Sequence, residues 1–253
     1  LQYELDRRRP GQSKITTQRK ESDTARILSG VFEGRTTGTA ISVMVLNEDA
    51  KSHNYEHLKD LYRPSHADFT FDKKYGFRDW MGGGRSSARE TVGRVAAGVI
   101  AKKLLQQWNN IQTIAWVEQI HEIKSSVDKE SISEQKIEAS IVRCPDPEAS
   151  EAMIARIHEV RKSGDSVGGI IRTVVRNVPA GLGEPVFDKL TADLAKALMS
   201  LPATRGVEFG LGFDSAKLKG SEHNDAFVMR DGTLPSLITN ASLCVCLGNT
   251  AAE

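Results

Sequence analysis

Apolar residues along this chain follow two spacings, one helical and one extended. Val92, Val95, Ala96, Val99 and Ile100 fall at the i, i+3, i+4, i+7, i+8 positions that share one face of a helix. Ser87 and Glu90 stand three apart just before them, as a capping box requires. Met153, Ile154, Ile157 and Val160 predict a second helix, entered through Cys144-Pro145-Asp146-Pro147. Phe187, Leu190, Leu194 and Leu198 predict a third. Between them lie apolar runs of strand length: Ile27–Phe32, Thr39–Leu46, Ile114–Ile123, Ile170–Val175 and Val207–Phe209. The first two flank Gly34 to Gly38 and read as a hairpin or as two adjacent strands. Gly164-Asp165-Ser166 turns the chain into the strand at Ile170. The outcome is an α+β chain with helices packed on sheets in both halves.

Three stretches lack a period. Residues 47–84 mix charge, aromatics and glycine; a connection this long is usually functional or disordered, and Tyr62, Phe69, Phe71, Tyr75, Phe77 and Trp80 argue against disorder. The segment from Ile123 to about Val142 is polar and expected to be exposed. Residues 234–253 carry little charge and no clear pattern.

Composition narrows the partners. With 253 residues, 39% hydrophobic and 26% charged, the chain is long enough for a substantial core. A net charge of +1 gives no overall pull toward nucleic acid or membrane, so anion binding must come from local clusters. Cys144, Cys244 and Cys246 make neither a zinc pattern nor a paired disulfide set, and read as free thiols in a reducing compartment. No apolar run approaches the ~20 residues that cross a bilayer. The chain opens on Leu1 with no signal peptide, and its start is read as cut, leaving room for an upstream targeting segment.

Two segments carry candidate chemistry. In Gly82-Gly83-Gly84-Arg85-Ser86-Ser87-Ala88-Arg89-Glu90-Thr91, glycines allow close backbone approach to a ligand, and a helix N-terminus follows with free N–H groups. Arg85 and Arg89 add guanidinium forks suited to phosphate. The plainer reading is a capped helix with two solvent-facing arginines. No Gly-Lys-Ser/Thr follows, so this is not a Walker loop, and the spacing does not fit a dinucleotide fingerprint. In Arg63-Pro64-Ser65-His66-Ala67-Asp68, a carboxylate beside His66 could fix the imidazole tautomer and suit it to proton transfer; a lone loop histidine is more often structural. His121-Glu122 and His158-Glu159 lack the second histidine of a zinc-protease motif, and no metal site is expected. The basic run Arg7, Arg8, Arg9, Lys14, Arg19, Lys20 reads as a solvated face, a wall of a phosphate site or, remotely, an RNA patch; aromatic interleaving is nearly absent.

Together these segments resemble the chorismate synthase family. The carrying residues are Asp6-Arg7-Arg8-Arg9-Pro10-Gly11 with Thr16-Thr17-Gln18-Arg19, then Leu28–Gly34 with Thr36–Thr39, Arg63–Asp68, and Gly84–Thr91 with Arg94–Gly98. Gly164–Ser166 and Val178–Pro185 follow in order. The resemblance implies a β-α-β sandwich with helices packed on antiparallel sheets, homotetrameric when complete. It implies a carbon–oxygen lyase that eliminates phosphate from 5-enolpyruvylshikimate 3-phosphate, giving chorismate for aromatic amino-acid biosynthesis. Reduced FMN is required without net redox change, with NADPH as a source of reducing power.

By that resemblance His66 is catalytic, Arg8, Lys14, Arg63 and Arg89 bind substrate, and Arg85, Ser86, Ser87, Pro202 and Ala203 contact FMN. Arg8 and Lys14 also match nicotinamide-nucleotide positions; Lys14 stands where many relatives have arginine, keeping the charge but not the fork. The implied partner is a small phosphorylated substrate rather than nucleic acid or membrane, and the implied location is cytoplasmic, or plastid after removal of a transit peptide. Residues 1–232 are expected to form an incomplete core, with 233–253 a non-matching tail. The family's early glycine-rich segment with a second histidine is expected to lie before Leu1, and its later flavin loop, Lys-Pro-Thr and Arg-His-Asp-Pro segments to be missing after Asp231. An inactive phosphate-binding fragment, and more remotely an RNA-binding module, are the alternatives.

Overall fold

The computed structural model describes residues 1–17, 19–48, 52–224, 227–230, 233–237 and 243–247. They divide into two compact units, one ending at Trp108 and the other starting at Asn109.

The first unit opens on a helix that the sequence pattern did not show, α1 (Gln2–Arg8), which buries Leu5 completely. Strands β1 (Ala25–Ser29), β2 (Val31–Phe32), β3 (Arg35–Thr36) and β4 (Ser42–Val45) follow. β1 pairs antiparallel with β4, and β2 with β3. The β2–β3 turn places Glu33 and Gly34 at φ 47° and 75°, the left-handed pair that suits the twist of a tight hairpin.

Gly30 turns the chain from β1 into β2 at φ 82°, where an added Cβ would lie 2.6 Å from the Ala40 carbonyl oxygen and 2.7 Å from the Ile41 Cα. The backbone of Ala40 and Ile41 cannot yield as a side chain would. Gly30→Ala is therefore expected to destabilise the protein by about 2 kcal/mol, read as a lower urea midpoint with unchanged slope.

The aperiodic stretch holds a short 3-10 segment (Ser52–Leu58) and the helix α2 (Asp68–Tyr75), which ends on Gly76 at φ 79°. Aromatic edges rather than an apolar stripe hold this region: Tyr62 meets Phe69 at 5.5 Å between ring centres, and Phe71 meets Tyr75 at 5.3 Å. Arg78 donates to the carbonyls of Leu58, Lys59 and Leu61 at 2.6, 2.9 and 2.7 Å, which satisfies loop backbone that no ladder reaches.

Next comes α3 (Thr91–Asn109), with Val92 and Ala96 buried as the spacing predicts. The expected capping box differs. Ser87 caps a 3-10 turn over Ala88–Glu90 by accepting from the Arg89 N–H, while the Glu90 carboxylate takes Arg94 at 2.9 Å.

The second unit is built on β5 (Gln112–Ile120), β6 (Ile123–Lys124), β7 (Gly169–Arg176), β8 (Thr204–Phe209), the pair β9 (Phe227–Arg230) and β10 (Thr233–Leu237), and β11 (Leu243–Leu247). Its main sheet has the order β6-β5-β7-β11-β8, antiparallel throughout. α4 (Glu134–Glu138), α5 (Pro147–Lys162), α6 (Leu190–Met199) and the short α7 (Gly220–His223) complete it. α5 starts where Asp146 accepts the Ala149 N–H at 3.1 Å with Pro147 in the first turn, and it buries Met153.

Trp116, Ile132 and Ile137 form a buried cluster, joined by Ile114, Val127 and Val174. The stretch up to Val142, expected to be exposed, thus supplies core residues: Ile132, Ile137 and Val142 are all buried. The third predicted helix begins at Leu190 rather than Phe187, whose side chain is 87% exposed. β11 lies within the run read as a non-matching tail, and it is the strand that joins β7 to β8.

Candidate active site

Chemistry-bearing residues of the first unit gather around buried carboxylates. Glu21 and Asp23 stand two residues apart just before β1. Glu21 and Asp23 are both buried, Asp23 with no exposure at all. Each oxygen of Asp23 takes one guanidinium: Arg8 Nη1 donates to Oδ2 at 2.8 Å and Arg89 Nη1 to Oδ1 at 2.9 Å. Arg8 Nε also donates to Thr91 Oγ1 at 3.2 Å, and Arg89 Nη2 to the Leu46 carbonyl at 2.7 Å. Glu21 accepts from Arg19 at 2.9 Å and from the Glu48 N–H at 3.1 Å, and lies 3.7 Å from Arg89.

Arg89 therefore does not face solvent beside Arg85, as the plainer reading of the glycine loop had it; it is turned onto Asp23. The N-terminal basic run divides: Arg7, Arg8 and Arg19 pair with Glu4, Asp23 and Glu21, while Arg9, Lys14 and Lys20 are exposed.

A second group forms around Asp68. Its carboxylate takes Arg63 through both oxygens at 3.0 and 3.1 Å, accepts the Arg63 backbone N–H at 3.0 Å, and lies 3.3 Å from Arg78. The carboxylate expected to hold His66 holds arginines instead. His66 Nδ1 lies 3.0 Å from the Pro64 carbonyl oxygen, which can only accept. Nδ1 therefore carries the hydrogen, and Nε2 is the nitrogen through which a neutral ring takes up a proton.

The Arg63 guanidinium holds Asp68 well below the ordinary carboxylate value of 3.8, at about 2. A depressed folded-state pKa stabilises the fold above the unfolded value and loses that contribution as pH falls. Stability is thus expected to drop between pH 3.8 and about 2 and then level. An NMR titration of the Asp68 carboxyl should find its midpoint near 2 and move it up in Arg63→Gln.

The glycine loop takes the backbone that its composition predicts: Gly82, Gly83 and Gly84 lie at φ 153°, 83° and 49°. Ser86 Oγ donates to the Gly83 carbonyl at 2.6 Å, and Ser87 Oγ caps Arg89, so both hydroxyls serve the turn. Arg85 is exposed and lines two clefts. One, about 210 Å³, has Phe71, Tyr75, Phe77 and Ser86 in its wall. The other, about 580 Å³, is bordered by Met81, Ser87, Arg89 and Glu90. Asp79 borders both.

Lys14 sits in an exposed turn and lines neither cleft. Pro202 and Ala203 belong to the second unit, in the turn before β8, with Ala203 at φ 66°. Among the described residues no cluster of three His, Cys, Asp or Glu could hold a metal, and no helix is long and apolar enough to cross a membrane.

The family model described as chorismate synthase matches residues 1–245. A chorismate synthase of Synechocystis sp. is 58% identical over 229 residues, covering 90% of this chain and 63% of that protein. Those of Gloeothece citriformis and Trichodesmium erythraeum are 56% and 59% identical, over 96% and 89% of this chain. This chain spans 67% and 61% of their respective lengths. A crystal structure of a chorismate synthase superposes with a TM-score of 0.73 at 30% identity, over 90% of this chain and 72% of that one.

Proposed function

Because this chain belongs to the chorismate synthase family, we propose that it carries the substrate-gripping part of a lyase that converts 5-enolpyruvylshikimate 3-phosphate to chorismate. In that 1,4-elimination a C–H bond and the distant C–O bond to phosphate break, a conjugated double bond forms, and a proton and phosphate leave. The observation that carries the reading is the convergence of Arg8 and Arg89, remote in sequence, on the one buried carboxylate of Asp23. A carboxylate behind two guanidiniums fixes their planes, so cations stand ready where leaving-group charge develops.

In this reading Arg8, Lys14, Arg63 and Arg89 hold the anionic substrate, and His66 moves a proton through Nε2. Arg85, Ser86 and Ser87 would contact FMN, and the family resemblance gives Pro202 and Ala203 an FMN contact as well. The fit is best at Arg85, an exposed guanidinium beside a loop whose glycines leave backbone open to a phosphate-bearing ligand. Reduced FMN, when bound, supplies electron density that lets the elimination proceed without net oxidation. Arg8 and Lys14 would also meet the nicotinamide nucleotide that renews it. The complete protein would be a homotetramer, working in the cytoplasm or a plastid.

The test is anaerobic incubation of the purified chain with 5-enolpyruvylshikimate 3-phosphate and chemically reduced FMN. Phosphate and chorismate appearing in equal amounts supports the lyase. Binding without release identifies an anion-binding fragment, and absence of both binding and release rejects the reading.

A further inference from the structure

We infer that Asp23 is a positioning residue: it sets the aim of the two guanidiniums that grip the phosphate of the ligand. The inference rests on the phosphate-site reading above and deepens it. Asp23 has no motif and lines neither of the two clefts, yet it is tightly constrained. It is wholly buried, and its backbone is held at φ 45°, a region that side-chain-bearing residues rarely occupy. Such strain persists only where surrounding structure imposes it. That structure is visible: Gln2 brackets the backbone, donating to the Asp23 carbonyl at 3.2 Å and accepting the Ala25 N–H at 2.9 Å. The carboxylate is thereby fixed, and each of its oxygens is spent on a different arginine.

Two opposing effects follow from neutralising Asp23, and their sign separates them. Removing a negative charge behind the arginines should, by charge alone, tighten anion binding. Removing the aim should loosen it. In Asp23→Asn the amide keeps one acceptor oxygen and points an NH2 group at the other guanidinium, a donor facing a donor. One arginine must then leave. Arg89 has another carboxylate to turn to, Glu21, already 3.7 Å away. Loss of aim therefore wins, because a guanidinium paired elsewhere is lost to the ligand. Asparagine tolerates a positive φ, so the substitution tests charge and geometry without adding backbone strain.

The experiment measures binding of inorganic phosphate and of 5-enolpyruvylshikimate 3-phosphate to the parent chain, Asp23→Asn and Thr91→Val. Guanidinium NMR signals of Arg8 and Arg89 and a thermal melt are recorded for each. Asp23→Asn is expected to bind both probes about tenfold more weakly, the scale of one lost charge-assisted hydrogen bond, and to lose the sharp guanidinium signals. Thr91→Val removes the second anchor of Arg8, together with the Thr91 hydroxyl's own bond to the Ala88 carbonyl, and should weaken binding by a smaller factor with a small drop in the melt. Should Asp23→Asn fail to fold, the Thr91→Val result and the parent's guanidinium signals still decide the matter. Equal or tighter binding by Asp23→Asn, or equal binding by Thr91→Val when it alone folds, overturns the positioning role and leaves the phosphate site standing. No binding of either probe by the parent overturns the phosphate site and this inference with it.

Discussion

On the lyase reading proposed above, His66→Ala in the full-length protein is expected to release phosphate about 100-fold more slowly than its parent, the lower end of what a lost acid–base group costs. The expectation rests on geometry around the ring. The turn that carries it is closed by the His66 N–H on the Arg63 carbonyl at 3.3 Å, with Ser65 in the left-handed region at φ 63°. Arg63 is in turn clamped by Asp68. The ring's Nδ1 hydrogen is committed to Pro64, which leaves proton exchange to Nε2. Alanine removes that nitrogen along with the bond to Pro64, while the half-buried position and the backbone bond to Arg63 leave the turn in place. The melting temperature should stay within a few degrees of the parent while kcat falls. A variant that keeps kcat would show that the imidazole takes no part.

Trp116→Ala is expected to lower stability by about 3–5 kcal/mol, the range for emptying a large aromatic site in a core. Trp116 is 2% exposed and central to the cluster with Ile132 and Ile137. Phenylalanine at the same position should cost far less. The indole Nε1 is buried without a hydrogen-bond partner among the described residues, so the parent already bears a desolvated donor that Phe removes. Urea unfolding followed by far-ultraviolet circular dichroism compares the two. If Trp116→Phe proves as damaging as Trp116→Ala, ring volume is not what the cluster needs.

What the sequence made legible follows from how each feature is held. α3 was readable because its buried side chains recur at a fixed period, and the strands at Ile114 and Ile170 because apolar runs of that length have few other uses. The arginines of the site were readable from their motifs. Their partners were not. His66 and Asp68 are near neighbours in sequence, which suggested a pair, but a bidentate guanidinium outbids an imidazole for a carboxylate. α2 escaped notice because edge-on aromatics and Arg78, not a stripe, support it. Ile132 and Ile137 escaped because lone apolar residues among charges have no period. Asp23 escaped because its meaning is tertiary: only folding brings Arg8 and Arg89 to it. The one local signal was the alternation of Glu21 and Asp23 ahead of a strand and behind a basic run.

The position of β11 in its sheet has a consequence for biosynthesis. β8 meets β11 and no other described strand, and β11 follows both of its neighbours in the chain. As the polypeptide leaves the ribosome, β7 and β8 emerge with unpaired edges that stay open until residues 243–247 follow them out. Over that interval the nascent chain presents the surface to which aggregating partners and chaperones bind.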